Sequence, residues 1–102
     1  MTQTVAEERL VGIEPSGACV QVIAAIGLPY QVSPEEWACP VSLAGLHERL
    51  HDIRGGSSLQ SLCLAASLLR QLLTGFVEGG GRLLYADGVE PFSISSCFSG
   101  VG

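Results

Sequence analysis

Ser57-Ser58-Leu59-Gln60-Ser61-Leu62-Cys63-Leu64-Ala65-Ala66-Ser67-Leu68-Leu69-Arg70-Gln71-Leu72-Leu73-Thr74-Gly75-Phe76-Val77 is the stretch on which the fold turns. Ser57 with Gln60 three positions on is a capping-box signature, and Gly79-Gly80-Gly81 is an abrupt stop. The run predicts a helix over 58–77. At about 100° per residue, Leu59, Leu62, Cys63, Ala66, Leu69, Leu73, Phe76 and Val77 gather on one side. Ala65 and Leu72 widen that side, and Leu64 and Leu68 carry it further round. Gln60, Ser67, Gln71 and Thr74 leave only a narrow polar stripe. Such a helix is either deeply embedded or partly covered by another chain. Leu64 and Leu68 are accordingly either core or the contact with a partner or a second copy.

Upstream of the helix the pattern is β. Residues 1–8 are polar and expected to fray, as is the tail from Ser99. Arg9 to Glu14 fits a short strand closed by a Pro15-Ser16-Gly17 turn. From Ala18, Val20, Val22, Ala24, Ile26 and Leu28 share one face, and Cys19, Gln21, Ile23 and Ala25 share the other. Both faces are largely apolar, which predicts a central strand covered on both sides, limited by Pro29. Ser33-Pro34-Glu35-Glu36 is turn chemistry, and Trp37 to Leu43 resumes alternation, so a hairpin follows. Pro40 has no N–H to give a ladder, which places it at an edge or a bulge. Residues 46–54 fit a helix or an extended return strand equally. After the helix, Arg82 to Ala86 reads as a strand, Asp87-Gly88 as a hairpin turn, and Phe92, Ile94, Ser96 and Phe98 as a last alternating strand.

The composition excludes whole classes. Ten Asp and Glu against five Arg, with no Lys, give a formal charge of −5. A chain of that sign lacks the basic footprint that a phosphate backbone requires, so nucleic acid is not an expected partner. Neither a signal peptide nor an unbroken apolar run of membrane-spanning length is seen, so no membrane role is expected. The absence of Lys and Asn fits a GC-rich coding sequence and hints at a bacterial source. Cys19, Cys39, Cys63 and Cys97 form no C-x-x-C pair. They could make an even disulfide set, but reduced, mostly buried thiols in a cytoplasmic protein are the expectation. No cofactor is called for.

Four short motifs in order carry a resemblance. They are Ile26-Gly27-Leu28-Pro29; Glu36-Trp37-Ala38-Cys39-Pro40; Gly45-Leu46; and Gly55-Gly56-Ser57-Ser58-Leu59-Gln60-Ser61-Leu62-Cys63-Leu64-Ala65. Over roughly residues 18–85 the chain resembles a family of small uncharacterised bacterial proteins with an I-G-x-P, D-W-x-C-P, G-L and G-v-D-x-x-Q-A-L-x-L-A pattern. Glu36 stands in place of the family's first Asp, and Ser57 or Ser58 in place of the Asp that starts the helix; both are conservative for a turn or an N-cap. The resemblance implies a compact α+β domain and is silent about chemistry.

His47-Glu48-Arg49-Leu50-His51 is a literal H-E-x-x-H. On a helix that spacing places His47 and His51 on one face for zinc, with Glu48 as general base. Arg49 and Asp52 put charges where such a site needs apolar residues, and no third ligand has an obvious carrier. The resemblance also sets this segment beside a strand, where the clamp cannot form. Glu35, Glu36 and Trp37 are either a solvated turn leading into a core aromatic or an exposed anchor beside carboxylates that suits a basic partner surface. The serines at 93, 95, 96 and 99 have no G-x-S-x-G elbow around them.

The expectation is one α+β domain over residues 1–102. A mostly antiparallel sheet of four or five strands packs on the 58–77 helix, in the order strand, hairpin, helix, hairpin. The expected function is protein binding, in the concrete form of an immunity or antitoxin-type protein that neutralises a toxin with a basic surface. The alternatives are a minimal zinc hydrolase on His47, Glu48 and His51, and a homodimeric accessory protein joined through Leu64 and Leu68.

Overall fold

Pro29 and Pro40 bend one long hairpin into two sheets. The computed structural model describes residues 3–99. It contains β1 (Thr4–Ile13), β2 (Cys19–Gly27), β3 (Tyr30–Ser33), β4 (Glu36–Cys39), β5 (Val41–Ala44), β6 (Ile53–Gly55), α1 (Ser58–Glu78), β7 (Arg82–Tyr85) and α2 (Ile94–Cys97). The hairpin's two arms are β2–β3 and β4–β5, antiparallel neighbours from Ile23↔Ala44 to Ile26↔Val41 and again from Tyr30↔Ala38 to Ser33↔Glu36. At the bend the Gly27 N–H donates to the Pro40 carbonyl at 2.9 Å. The buried Cys39 thiol donates to the Gly27 carbonyl at 3.5 Å. Below the bend lies a four-stranded sheet in the order β5-β2-β1-β7, and above it a three-stranded one in the order β3-β4-β6. Every pairing is antiparallel. The fold class is α+β, as expected, but with two sheets rather than one. A proline cannot extend a ladder through its own position, and here two of them sit near the same crossing.

α1 packs against both sheets. Ser57 is its N-cap: the Gln60 N–H donates to Ser57 Oγ at 3.0 Å. The return bond of the capping box goes one residue further back, from the Gly56 N–H to Gln60 Oε1. The core joins Leu10, Val22, Ala24 and Ile26 of the larger sheet to Cys39, Val41 and Leu43 of the bent arm. Ala65, Ala66, Leu69 and Leu73 of α1, with Leu83 and Phe92 after it, complete that core.

The buried side of α1 is turned from the one the hydrophobic pattern marks. Ser61, Ala65, Ala66, Leu69 and Leu73 are buried, while Leu59 (70% exposed), Cys63 and Val77 face out. The cause is β6. A Cβ on Gly55 would lie 2.7 Å from the Ser61 nitrogen, so only glycine lets that strand press on the helix, and it does so over Ser61. By length and composition α1 is also sufficient to cross a membrane, although its apolar residues are interrupted by polar ones and one side of it belongs to the core.

Further expectations are corrected, and one open reading is resolved. β1 begins at Thr4 and pairs with β2 from there, so residues 4–8 are strand rather than a frayed arm. β2 is interior to its sheet, but its buried side chains, Val22, Ala24 and Ile26, share one face; Ile23 and Ala25 on the other face are half-buried, and no helix or strand among the described residues packs over them as a layer. Residues 46–54 resolve into a turn, an irregular stretch and β6. The last strand is not formed: after the Leu84↔Pro91 bridge, Ser93 Oγ accepts from the Ser96 N–H at 3.2 Å and caps the short helix α2. The frayed tail expected from Ser99 lies, beyond that residue, outside the described residues. Of the four thiols, all free, only Cys39 is buried; Cys19, Cys63 and Cys97 are exposed.

Candidate functional site

His47 sits in a turn held by its own N–H, which donates to the Leu43 carbonyl at 2.9 Å, and no residue from 47 to 51 is helical. The i, i+4 register that would aim His47 and His51 at one metal is therefore not made. Among the described residues no group of three or more His, Cys, Asp and Glu side chains comes together in metal-holding geometry. Glu48 and His51 are exposed and stand apart from the cleft that His47 lines.

That cleft is the candidate site. It opens between the 45–47 turn and the second half of α1, with a volume of about 360 Å³, within the range of small-ligand and side-chain pockets. Leu46, Leu72 and Phe76 form its apolar floor. Glu14, His47 and Gln71 supply a carboxylate, an imidazole and an amide at its walls. Two glycines shape it. Gly45 has φ +99°, and a Cβ there would meet the Gln21 carbonyl at 2.1 Å, so the turn lies against β2 only because that atom is missing. Gly75 lies in the last turn of α1, where a Cβ would meet nothing within 4 Å.

Leu64 and Leu68 belong to the same surface. At helical spacing, positions 64, 68, 71 and 75 run down one flank of α1, and the last two line the cleft. Leu64 is 45% exposed, and Leu68 is half-buried and packs against the core.

The other proposed anchor comes apart. Pro34 and Glu35 form the exposed tip of the β3–β4 turn. Glu36 is engaged by Arg54 of β6, with Nη1 and Oε1 2.9 Å apart. Trp37, the next residue in β4, points to the opposite face, half-buried and opposite Gly55. Glu35, Glu36 and Trp37 thus do not make one surface. On the Glu36 face, Tyr30 reaches from β3 past Ala38 to donate its hydroxyl to Asp52. That hydrogen bond, with some burial and the Asp52 charge, raises the Tyr30 pKa. Burial, with a smaller push from Asp52, also raises that of Cys39.

Sequence reasoning missed Glu14, Gln71 and Gly75 as wall residues. The 64/68/71/75 spacing was available to find two of them, whereas Glu14 precedes the Pro15–Gly17 turn, whose approach to α1 no local pattern announces. Comparison with family models, with curated proteins and with solved structures finds no match to this chain.

Proposed function

We propose that this protein is a non-enzymatic binding domain of the immunity or antitoxin type, which seats a protein partner with a basic surface in the α1 cleft. The observation that supports this reading is the exposed Leu64 flank running by helical spacing into an apolar cleft with Glu14 on its wall. An apolar floor with a few convergent polar groups suits binding. The −5 charge carried without lysine favours encounter with a basic surface. Four free thiols suit the reducing bacterial cytoplasm that the reading assumes. The likeness to small bacterial α+β proteins belongs to the same proposal.

The test is co-expression with the product of the adjacent gene in cells that this product poisons. Rescue of growth and a co-purifying complex are expected, both lost in Leu64→Glu. Neither rescue nor a complex would sink the reading. Light scattering that shows a dimer broken by Leu64→Glu would instead assign the flank to a second copy of this chain.

A further inference from the structure

Glu8 is a charge on the inward face of a strand. In β1 the positions that face the core are Ala6, Glu8, Leu10 and Gly12, and Glu8 lies opposite the buried Ala24. Its neighbour Glu7 is occupied by Arg9, 2.9 Å away. The Glu8 side chain has no ion pair or hydrogen bond among the described residues. A carboxylate among Ala6, Leu10 and Gly12 is the one charged side chain on that face of β1, and such departures concentrate where a ligand completes the arrangement.

What lies beside Glu8 is a pocket of about 140 Å³. Its floor is Ala24, Ile26, Leu69 and Phe98, and Glu8 supplies the carboxylate at its wall. The volume falls well short of the roughly 300–1,000 Å³ of cofactor and drug-sized sites, but it accommodates one side chain. The edge of β1 beside it is also open. β7 pairs with β1 only from Leu10 to Ile13, so from Thr4 to Arg9 no strand among the described residues covers that side. The pocket is separate from the α1 cleft and shares no lining residue with it.

We infer that this pocket receives one arginine side chain of a protein partner, its aliphatic stem on the Ala24–Ile26–Leu69–Phe98 floor and its guanidinium on Glu8. The inference rests on the protein-binding reading above and names the partner's contact chemistry. Arginine fits better than lysine because its planar head is weakly hydrated, presents two parallel donors to a carboxylate, and is the basic residue enriched in interface centres. A long basic side chain that buries its stem and keeps its head at a rim is the ordinary behaviour of such residues. The field of Glu8 already reaches into the pocket: burial first, and Glu8 second, hold the Cys97 thiol protonated beyond its usual range.

The probes are n-butylguanidinium and its neutral isostere n-butylurea, titrated into the isotopically labelled full chain and followed by amide NMR shifts. Butylguanidinium is expected to move Ala6, Glu8, Ala24 and Phe98 and to leave Gln71 and Gly75 in place. Butylurea should bind at least tenfold more weakly to the unmodified protein, a ratio that needs no variant. Glu8→Gln should weaken butylguanidinium by the same factor while its amide spectrum keeps the native dispersion. Equal binding of the two probes, an effect of Glu8→Gln below tenfold, or shifts confined to other residues would each overturn the inference. A partner complex abolished by Leu64→Glu but indifferent to Glu8→Gln would overturn the pocket and leave the binding reading standing. Loss of both readouts would remove both.

Discussion

Replacing Gly75 by alanine should stabilise the protein, and replacing it by leucine should abolish partner binding without unfolding it. Glycine inside a helix costs about 0.8–1.0 kcal/mol relative to alanine, because its backbone loses more freedom on folding. The gain is realised only if the new methyl meets no obstacle, and at Gly75 nothing lies within 4 Å of where a Cβ would stand. The residue is exposed in the last turn of α1, where its carbonyl still accepts the Gly79 N–H, so most of the propensity difference, about 0.9 kcal/mol at most, should appear. For a domain of about 100 residues, that corresponds to a rise in Tm of about 4–7 °C, read by circular dichroism at 222 nm. Leucine is nearly as good a helix former as alanine, and its branched side chain would project into the cleft. Gly75→Leu should therefore melt at or above the parent temperature yet fail to rescue toxin-expressing cells or to form the complex. A Tm below the parent in Gly75→Ala would refute the open geometry. A leucine variant that binds as well as the parent would refute the cleft as the docking site.

Ser57→Ala removes the acceptor of the Gln60 N–H and should cost about 1 kcal/mol, a lower midpoint in urea with an unchanged slope. Gly45→Ala forces a side chain into a φ of +99° and onto the Gln21 carbonyl, and should cost about 2–3 kcal/mol in the same assay; a neutral result would mean that the turn sits elsewhere. Asp87 accepts the backbone N–H groups of Val89 and then Glu90, which hold its carboxyl below the usual range. Its contribution is present above the unfolded value of about 3.9 and disappears as pH falls through the lower folded value. The Tm advantage of the parent over Asp87→Asn should then be steady from pH 7 to about 5 and shrink below pH 4; an advantage that grows in acid would contradict the assignment.

What could be read in the sequence follows how local each determinant is. The helix over 58–77 was legible because both ends are written within four residues: Ser57 with Gln60 at one, the glycines at the other. Its orientation was not, because the glycine that admits β6 lies outside the helix and acts on Ser61, a residue that polarity assigns to solvent. The hairpin from Cys19 to Ala44 was legible in its alternation and its Ser33–Glu36 turn. Its division into two sheets depended on Pro29 and Pro40 standing near each other across the ladder, a non-local fact. The final strand failed because Ser93 offers an N-cap bond stronger than the weak alternation after it. The cleft shows the same division. Its helical wall has a sequence spacing, whereas Glu14 and His47 are delivered by turns whose approach is a tertiary outcome.

The bend at Gly27 and Pro40 also governs how the molecule comes apart. Two stacked sheets held by side chains alone could separate as independent subunits of stability, each with its own opening free energy. Here both rails of one ribbon run through the boundary, cross-linked there by the Gly27–Pro40 backbone hydrogen bond and the Cys39 thiol. Opening the three-stranded sheet must tear that ribbon along its length and uncover the first half of α1, on which the four-stranded sheet also depends. Slow amide exchange in β4 and in β2 should consequently report a single global event, and a ligand held at either end tightens the whole chain.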